Sequence, residues 1–191
     1  MTTRVIGLAG RPGSGKSAVA RALAECPGIE AVDLDPVAWE TYAPGTPAHA
    51  KLVRRFGRDV LSADGRIDRR KLAHMLSDSA ARRDLEAIVH PAVTAILRRV
   101  VRDARERGVR ILLVEGALLA SSAHVDRSVF DAILWLEASD ETRRVRLRGD
   151  GREHQADRMR GLQPQGGVIP LDAEGSVSNV VGRVRRAIET L

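Results

Sequence analysis

The sequence predicts an α/β fold, a parallel sheet of about five strands flanked by helices and interrupted by a helical insertion. Three observations carry that expectation. Short apolar runs, nearly continuous as strands buried on both faces of a parallel sheet must be, alternate with segments whose apolar residues recur at helical spacing. The first run passes through a glycine-rich loop straight into such a helix. And 191 residues suffice for one sizeable core with insertions.

Taken in order, residues 5–9 (VIGLA) read as a strand, residues 10–15 as a loop, and Ala18, Val19, Ala22 and Leu23 as one face of a helix that Pro27-Gly28 ends. Residues 29–35 (IEAVDLD) form a second strand stopping at Pro36, which puts Asp33 and Asp35 near its carboxyl end. From Pro36 to about Val89 strand signals give way to short helical patterns, among them Leu52-Val53 with Phe56 and Leu72 with Met75-Leu76. Within this stretch Asp64-Gly65 is a turn, Asp68 caps a helix beginning at Arg69, and Asp78 or Ser79 caps the next. Pro91 suits a first helical position, and Val93, Ile96, Leu97, Val100, Val101 and Ala104 form a stripe that ends at Gly108.

Residues 109–114 and 132–136 extend the parallel sheet. Residues 141–148 read as helix, 149–167 as a polar lid rich in Gly, Arg and Gln, 168–171 as a short last strand, and 177–191 as a closing helix with Val180, Val181, Val184 and Ile188 inward. The segments group as a nucleotide-binding core (1–35, 91–140 and 168–191), a helical acceptor-binding insertion (36–90) and the lid (141–167).

Composition narrows the function classes. The net charge of +6 is spread along the chain and aromatics make up only 3%, so stacking on nucleic acid is not expected; an anionic, phosphate-rich substrate accounts for the basic balance equally well. No apolar stretch approaches the roughly 20 residues of a membrane span, and no charged-then-apolar leader precedes the first strand, so a cytoplasmic, membrane-free location is the expectation. The single cysteine, Cys26, leaves no intramolecular disulfide or cysteine zinc site.

Residues 10–17 (GRPGSGKS) match G-x-x-x-x-G-K-S/T at every fixed position, between a strand and a helix as that motif requires. The glycines let successive N–H groups curl into one concavity, and the helix adds its positive end there, which suits a polyphosphate. Gly13, Ser14, Gly15, Lys16, Ser17 and Ala18 are the candidate ATP-binding run, with Lys16 reaching the β and γ oxygens and the Ser17 hydroxyl ligating Mg²⁺. Asp35 either accepts and orients an attacking hydroxyl or caps a helix; Asp33 either joins the metal site or is a solvated turn residue. Glu115, ending the third strand, either holds a Mg²⁺-bound water or is plain strand-end polarity. Arginines 143, 144, 146, 148, 152, 158 and 160 are candidates to close over phosphates, since a planar, permanent cation suits charge spread over equatorial oxygens.

These residues resemble the dephospho-coenzyme A kinases. The likeness runs through most of the chain: residues 7–17 resemble that family's opening loop, 32–35 (VDLD) its V-D-A-D, 55–57 (RFG) and 64–72 (DGRIDRRKL) its central motifs, and 85–91 (LEAIVHP) its L-x-x-I/V-x-H-P. The resemblance implies a P-loop kinase fold, ATP and Mg²⁺ as cofactors, and transfer to the ribose 3′-hydroxyl of dephospho-coenzyme A. Lys16, Asp35 and Arg146 fall at catalytic positions, the last as a lid arginine, and Asp68, Arg69 and His90 at acceptor-binding ones. For Asp68-Arg69 and His90-Pro91 plain capping, pairing and packing remain open. There are departures: Arg11-Pro12 replaces Gly-Ile in the loop, and the lid departs most, with Asp150 standing where the family has a second arginine. The alternatives are another small P-loop kinase acting on a nucleotide or nucleoside, and an ATP-binding protein with weak or lost transfer.

Overall fold

The computed structural model describes residues 2–76, 78–116, 119, 125–156, 163–164 and 166–191. Five strands, β1 (Arg4–Gly10), β2 (Ile29–Asp33), β3 (Ile111–Glu115), β4 (Ala132–Glu137) and β5 (Ile169–Asp172), pair in the order β2-β3-β1-β4-β5, every pair parallel. Among the described residues seven α-helices accompany these five strands: α1 (Lys16–Ala24), α2 (Leu34–Glu40), α3 (Pro47–Phe56), α4 (Arg69–Met75), α5 (Ser79–Glu106), α6 (Asp140–Gly149) and α7 (Val177–Glu189). Among the described residues no helix is long and apolar enough to cross a membrane.

The apolar runs take these places for a simple reason. β1 is the central strand, so both faces must be covered, and Val5, Ile6, Leu8 and Ala9 are fully buried. Ile6, Leu8, Leu113, Leu134 and Leu136 from the sheet pack with Val19, Ala20 and Leu23 of α1 and Val180, Val184 and Ile188 of α7. β5 is an edge strand, which is where Pro170 can sit without costing the ladder a needed N–H.

The chain divides into two compact units, Met1–Asp33 with Val100–Leu191, and Leu34–Arg99. The second has its own small core of Leu52, Val60, Ile67 and Leu72, against which Tyr42, Phe56, Leu85, Ile88 and Val89 pack. Asp68 and Asp78 take the capping places the sequence indicates, and Thr46 adds another. Thr46 caps α3 by accepting from the His49 N–H at 3.1 Å with Pro47 at the first position, Asp68 caps α4 by accepting from the Arg70 and Lys71 N–H groups at 2.8 and 3.2 Å, and Asp78 caps α5 at the Ala81 N–H.

Two elements differ from expectation. β2 ends at Asp33, and Asp35 lies in the first turn of α2, with Pro36 after it. Proline stops a strand, but its missing N–H costs nothing in a helix's first turn, where N–H groups lack intrahelical partners anyway. Likewise Pro91 starts no helix: α5 is one helix of 28 residues with Pro91 inside it. One N–H is lost, yet the turns on both sides remain, and the preceding ones are held by Leu85, Ile88 and Val89 in the second unit's core. The division between units falls within this helix, after Arg99.

Candidate active site

The glycine-rich loop leaves β1 at Gly10 and enters α1 at Lys16. Gly13 and Gly15 have φ of 80° and 97°, a region glycine enters freely, and the Ser14 N–H donates to the Arg11 carbonyl at 3.1 Å to close the turn. Gly15 is the residue before α1, its carbonyl accepting from the Val19 N–H at 3.0 Å, so the helix N-terminus opens on the loop. The Lys16 ammonium folds back to donate to the Gly10 carbonyl at 2.8 Å and to that of Arg11 at 3.4 Å. Carbonyls are weak substitutes for phosphate oxygens, and the flexible stem lets the ammonium exchange one for the other.

Behind the loop stands α6. Ser139 caps it, and Glu174, from the turn between β5 and α7, accepts from the Ser139 N–H and the Thr142 hydroxyl, both at 2.6 Å. Those two donors hold the Glu174 carboxyl below its ordinary 4.5. One face of α6 then presents two arginines. The buried Arg143 donates to the Pro12 carbonyl at 3.0 Å and pairs with Asp140 at 2.6 Å. Arg146 donates through Nη1 to the carbonyls of Ser14 and Gly13 at 3.2 and 3.4 Å, and through Nη2 to those of Gly175 and Ala173 at 2.8 and 2.9 Å. A Cβ built on Gly13 would lie 2.6 Å from the Arg143 carbonyl oxygen, so the loop has no room for a side chain on that side.

A cavity of about 320 Å³ lies along the loop, bounded by residues 12–19 and by Arg21, Arg146, Leu147, Asp150, Arg152, Val177 and Val180. Its size falls at the small end of the usual range for ligand sites. Three arginines, Arg21, Arg146 and Arg152, line it together with Asp150. Arg148 is absent from the lining; Glu153 holds it at 2.7 Å, raising its basicity further. Arg152 reaches Gln155 at 2.9 Å and does line the cavity, so of these two neighbours of Asp150 it is Arg152 that faces the loop's phosphate side. The lid arginines Arg158 and Arg160 lie outside the described residues.

The strand register brings two predicted carboxylates together. Asp33 ends β2 directly opposite Glu115 at the end of β3, and Glu115 in turn pairs with Leu8 of β1, two residues before the loop. Register partners in a parallel pair share a face and lie about 4.8 Å apart. Glu115 is buried, which plain strand-end polarity does not require. With the Ser17 hydroxyl at the start of α1 these are hard oxygen donors of the kind Mg²⁺ takes. Among the described residues no group of three or more acidic, histidine or cysteine side chains is set to hold a metal without help.

In the second unit, Arg69 at the start of α4 stacks over the Trp39 ring of α2, its guanidinium carbon 3.7 Å from the ring centre. Tyr42 lies within electrostatic reach of Arg69 and Asp35: burial raises its hydroxyl pKa, Arg69 works against that shift and Asp35 adds to it. Asp68 is occupied as the α4 cap, and His90 is a half-buried residue inside α5.

The model of the family described as dephospho-CoA kinase matches residues 4–165. The chain belongs to the dephospho-CoA kinase family. It is 34% identical over 187 residues to the dephospho-CoA kinase of Geobacter sulfurreducens, covering 94% of each chain, and 36% identical over 188 residues to that of Symbiobacterium thermophilum, covering 97% of this chain and 73% of the relative. A Thermus thermophilus structure, TT1252, superposes with a TM-score of 0.75 at 28% identity, covering 100% of this chain and 98% of that one. The Campylobacter jejuni dephospho-CoA kinase, 15% identical over 98% of this chain and 96% of its own, shares the fold at a TM-score of 0.59.

For a dephospho-CoA kinase family member, the sequence pointed to the loop and to both strand-end carboxylates but gave no sign of Trp39, Tyr42 or Arg21. Two of the five aromatic residues gather around Arg69, although the scarcity of aromatics alone does not say where they meet.

Proposed function

We infer that this chain transfers the γ-phosphoryl group of ATP to the ribose 3′-hydroxyl of dephospho-CoA, giving CoA and ADP, in the cytoplasm. The observation that carries the reading is the family match across residues 4–165, which takes in both the phosphate loop and the whole of the second unit. The nucleotide- or nucleoside-kinase alternative has no comparable support.

The loop and the α1 N-terminus bind the ATP phosphates, with Gly13, Ser14, Gly15, Lys16, Ser17 and Ala18 as the contacting run. Lys16 leaves the Gly10 and Arg11 carbonyls for the β and γ oxygens. The oxygen donors of Ser17, Asp33 and Glu115 fit Mg²⁺, which would neutralise charge on the bridged phosphates. Asp35 orients the acceptor hydroxyl and takes its proton as the bond to phosphorus forms; chain connectivity alone keeps its Cα within about 7 Å of that of Asp33. A loose transition state asks little prior deprotonation, so an ionised carboxylate serves. The second unit holds the CoA precursor, with Arg69, steadied on Trp39, as the cation for its phosphates and His90 as a further contact; Asp68 contributes by starting α4 at Arg69.

The test is ADP formation from ATP and Mg²⁺ with and without dephospho-CoA, with the product mass read by spectrometry. ADP release that depends on dephospho-CoA, and a product heavier by one phosphoryl group, is the expected outcome. Transfer to nucleosides in preference, or ATP consumption indifferent to dephospho-CoA, would overturn the assignment.

A further inference from the structure

The phosphate loop has two sides, and α6 occupies one of them. Three successive loop carbonyls, those of Pro12, Gly13 and Ser14, are held by the guanidinium groups of Arg143 and Arg146. Across a planar trans peptide the C=O and N–H point in opposite directions. Holding the Pro12 and Ser14 carbonyls against α6 therefore turns the N–H groups of Gly13 and Gly15 the other way, toward where phosphate oxygens sit.

Arg146 does more than grip the loop. Its two terminal nitrogens carry four N–H groups and reach four carbonyls: two in the loop, and those of Ala173 and Gly175 in the turn between β5 and α7. Residue 174, between those two, anchors the start of α6 through its carboxylate. The loop, α6 and the β5–α7 turn are thus tied into one block, with the Arg146 guanidinium spanning its two ends. Unlike Lys16, whose flexible stem can trade its loop carbonyls for phosphate, Arg146 could turn to a transferring phosphoryl group only by releasing the link between these two segments.

We propose that Arg146 is a positioning residue, a strut that sets the phosphate loop in its binding shape, and that it does not touch the transferred group. The proposal rests on the nucleotide-binding reading above, and it replaces the lid role that the resemblance implies for this position. A strut under the loop serves every ligand whose phosphates occupy it. It therefore supports ADP as much as ATP, whereas an arginine reaching the γ-phosphoryl group distinguishes the two. Lysine cannot substitute fully, because one compact ammonium with three donors does not span carbonyls on two sides.

The experiment is calorimetric titration of ADP and of ATP into the native chain, Arg146→Lys and Arg146→Ala, together with steady-state kinetics on dephospho-CoA and thermal melts. The expected result is a loss of affinity for both nucleotides by a similar factor, about tenfold or more in Arg146→Ala and less in Arg146→Lys, with KM for ATP rising in step and kcat changing by less than about threefold. A fall in kcat of about 10²-fold with ADP affinity intact would overturn the proposal and return Arg146 to the reacting group. A lower melting temperature with both affinities unchanged would overturn it as well, leaving only a fold-stabilising contact. Should Arg146→Ala fail to fold, Arg146→Lys gives the same readout. If the native chain itself binds no ADP, the nucleotide reading fails first and takes the strut with it, an outcome distinct from native binding that the substitutions leave unaltered.

Discussion

Lys16 and Asp35 separate the two halves of the chemistry at the level of single residues. Lys16→Ala removes a part-buried cation that donates to the Gly10 and Arg11 carbonyls at 2.8 and 3.4 Å and contributes nothing to the apolar core, so the fold should survive while the rate falls on the order of 10²-fold or more. Circular dichroism alongside turnover checks this, and near-native turnover would remove Lys16 from the reaction. Asp35→Asn keeps the shape of the α2 first turn and deletes the proton acceptor, so kcat should drop strongly with ATP affinity nearly intact. A loss of ATP affinity with kcat retained at saturation would make Asp35 a metal ligand instead.

Among the elements, α5 and α6 are each set by one identifiable residue. Replacing Pro91 by alanine restores an N–H in the interior of the 28-residue α5, and the substitution should raise the melting temperature, by as much as about 3 kcal/mol of stability if the native backbone there is unstrained. A lower melting temperature would show that the proline-shaped backbone is itself required. For α6, the Glu174 carboxyl is held below 4.5 by the Ser139 N–H and the Thr142 hydroxyl. A depressed folded-state pKa gives stability that is present above the unfolded value and lost as pH falls through the folded one. Glu174→Gln should therefore melt below the native chain at neutral pH, and the gap should narrow as the pH falls below 4.5 and through the depressed folded-state value, which differential scanning across a pH series would follow. A gap that stays constant would mean the carboxylate charge is irrelevant. Much of this level was legible in the sequence: strands declared themselves by apolar runs, and α4 by Asp68. What misled was proline, read as a boundary at both Pro36 and Pro91, where in one case a first turn and in the other packing on both sides made the missing donor tolerable. The Arg146 contacts were illegible for a different reason, since they join segments 133 and 29 residues away and no local pattern encodes them.

For the molecule as a whole, the two units differ in how much apolar surface stabilises them. The first packs one face of the five-stranded sheet against α1 and α7; the second rests on a small cluster, Leu52, Val60, Ile67 and Leu72, and its neighbours. Hydrogen exchange should accordingly find the slowest amides in β1, β3 and β4, with residues 34–76 and 78–99 opening at a lower free energy. Leu52→Ala, which removes a fully buried side chain at a cost of about 2–5 kcal/mol, should speed exchange in the second unit and leave β1 unchanged. Equal acceleration throughout would show one cooperative body. The family and the loop were readable because they are written in contiguous motifs, whereas the division of the chain inside a continuous helix was not. A last consequence follows from Gly13, whose missing Cβ would meet the Arg143 carbonyl oxygen at 2.6 Å. The nucleotide side and the helix side of the loop are separated by a single thickness of main chain, so the helix acts as half of the loop's mould although 131 residues of sequence lie between Pro12 and Arg143. Anyone transplanting residues 10–17 into another scaffold, or exchanging them between relatives, would be moving one half of a two-piece casting; the segment 139–146 has to travel with it.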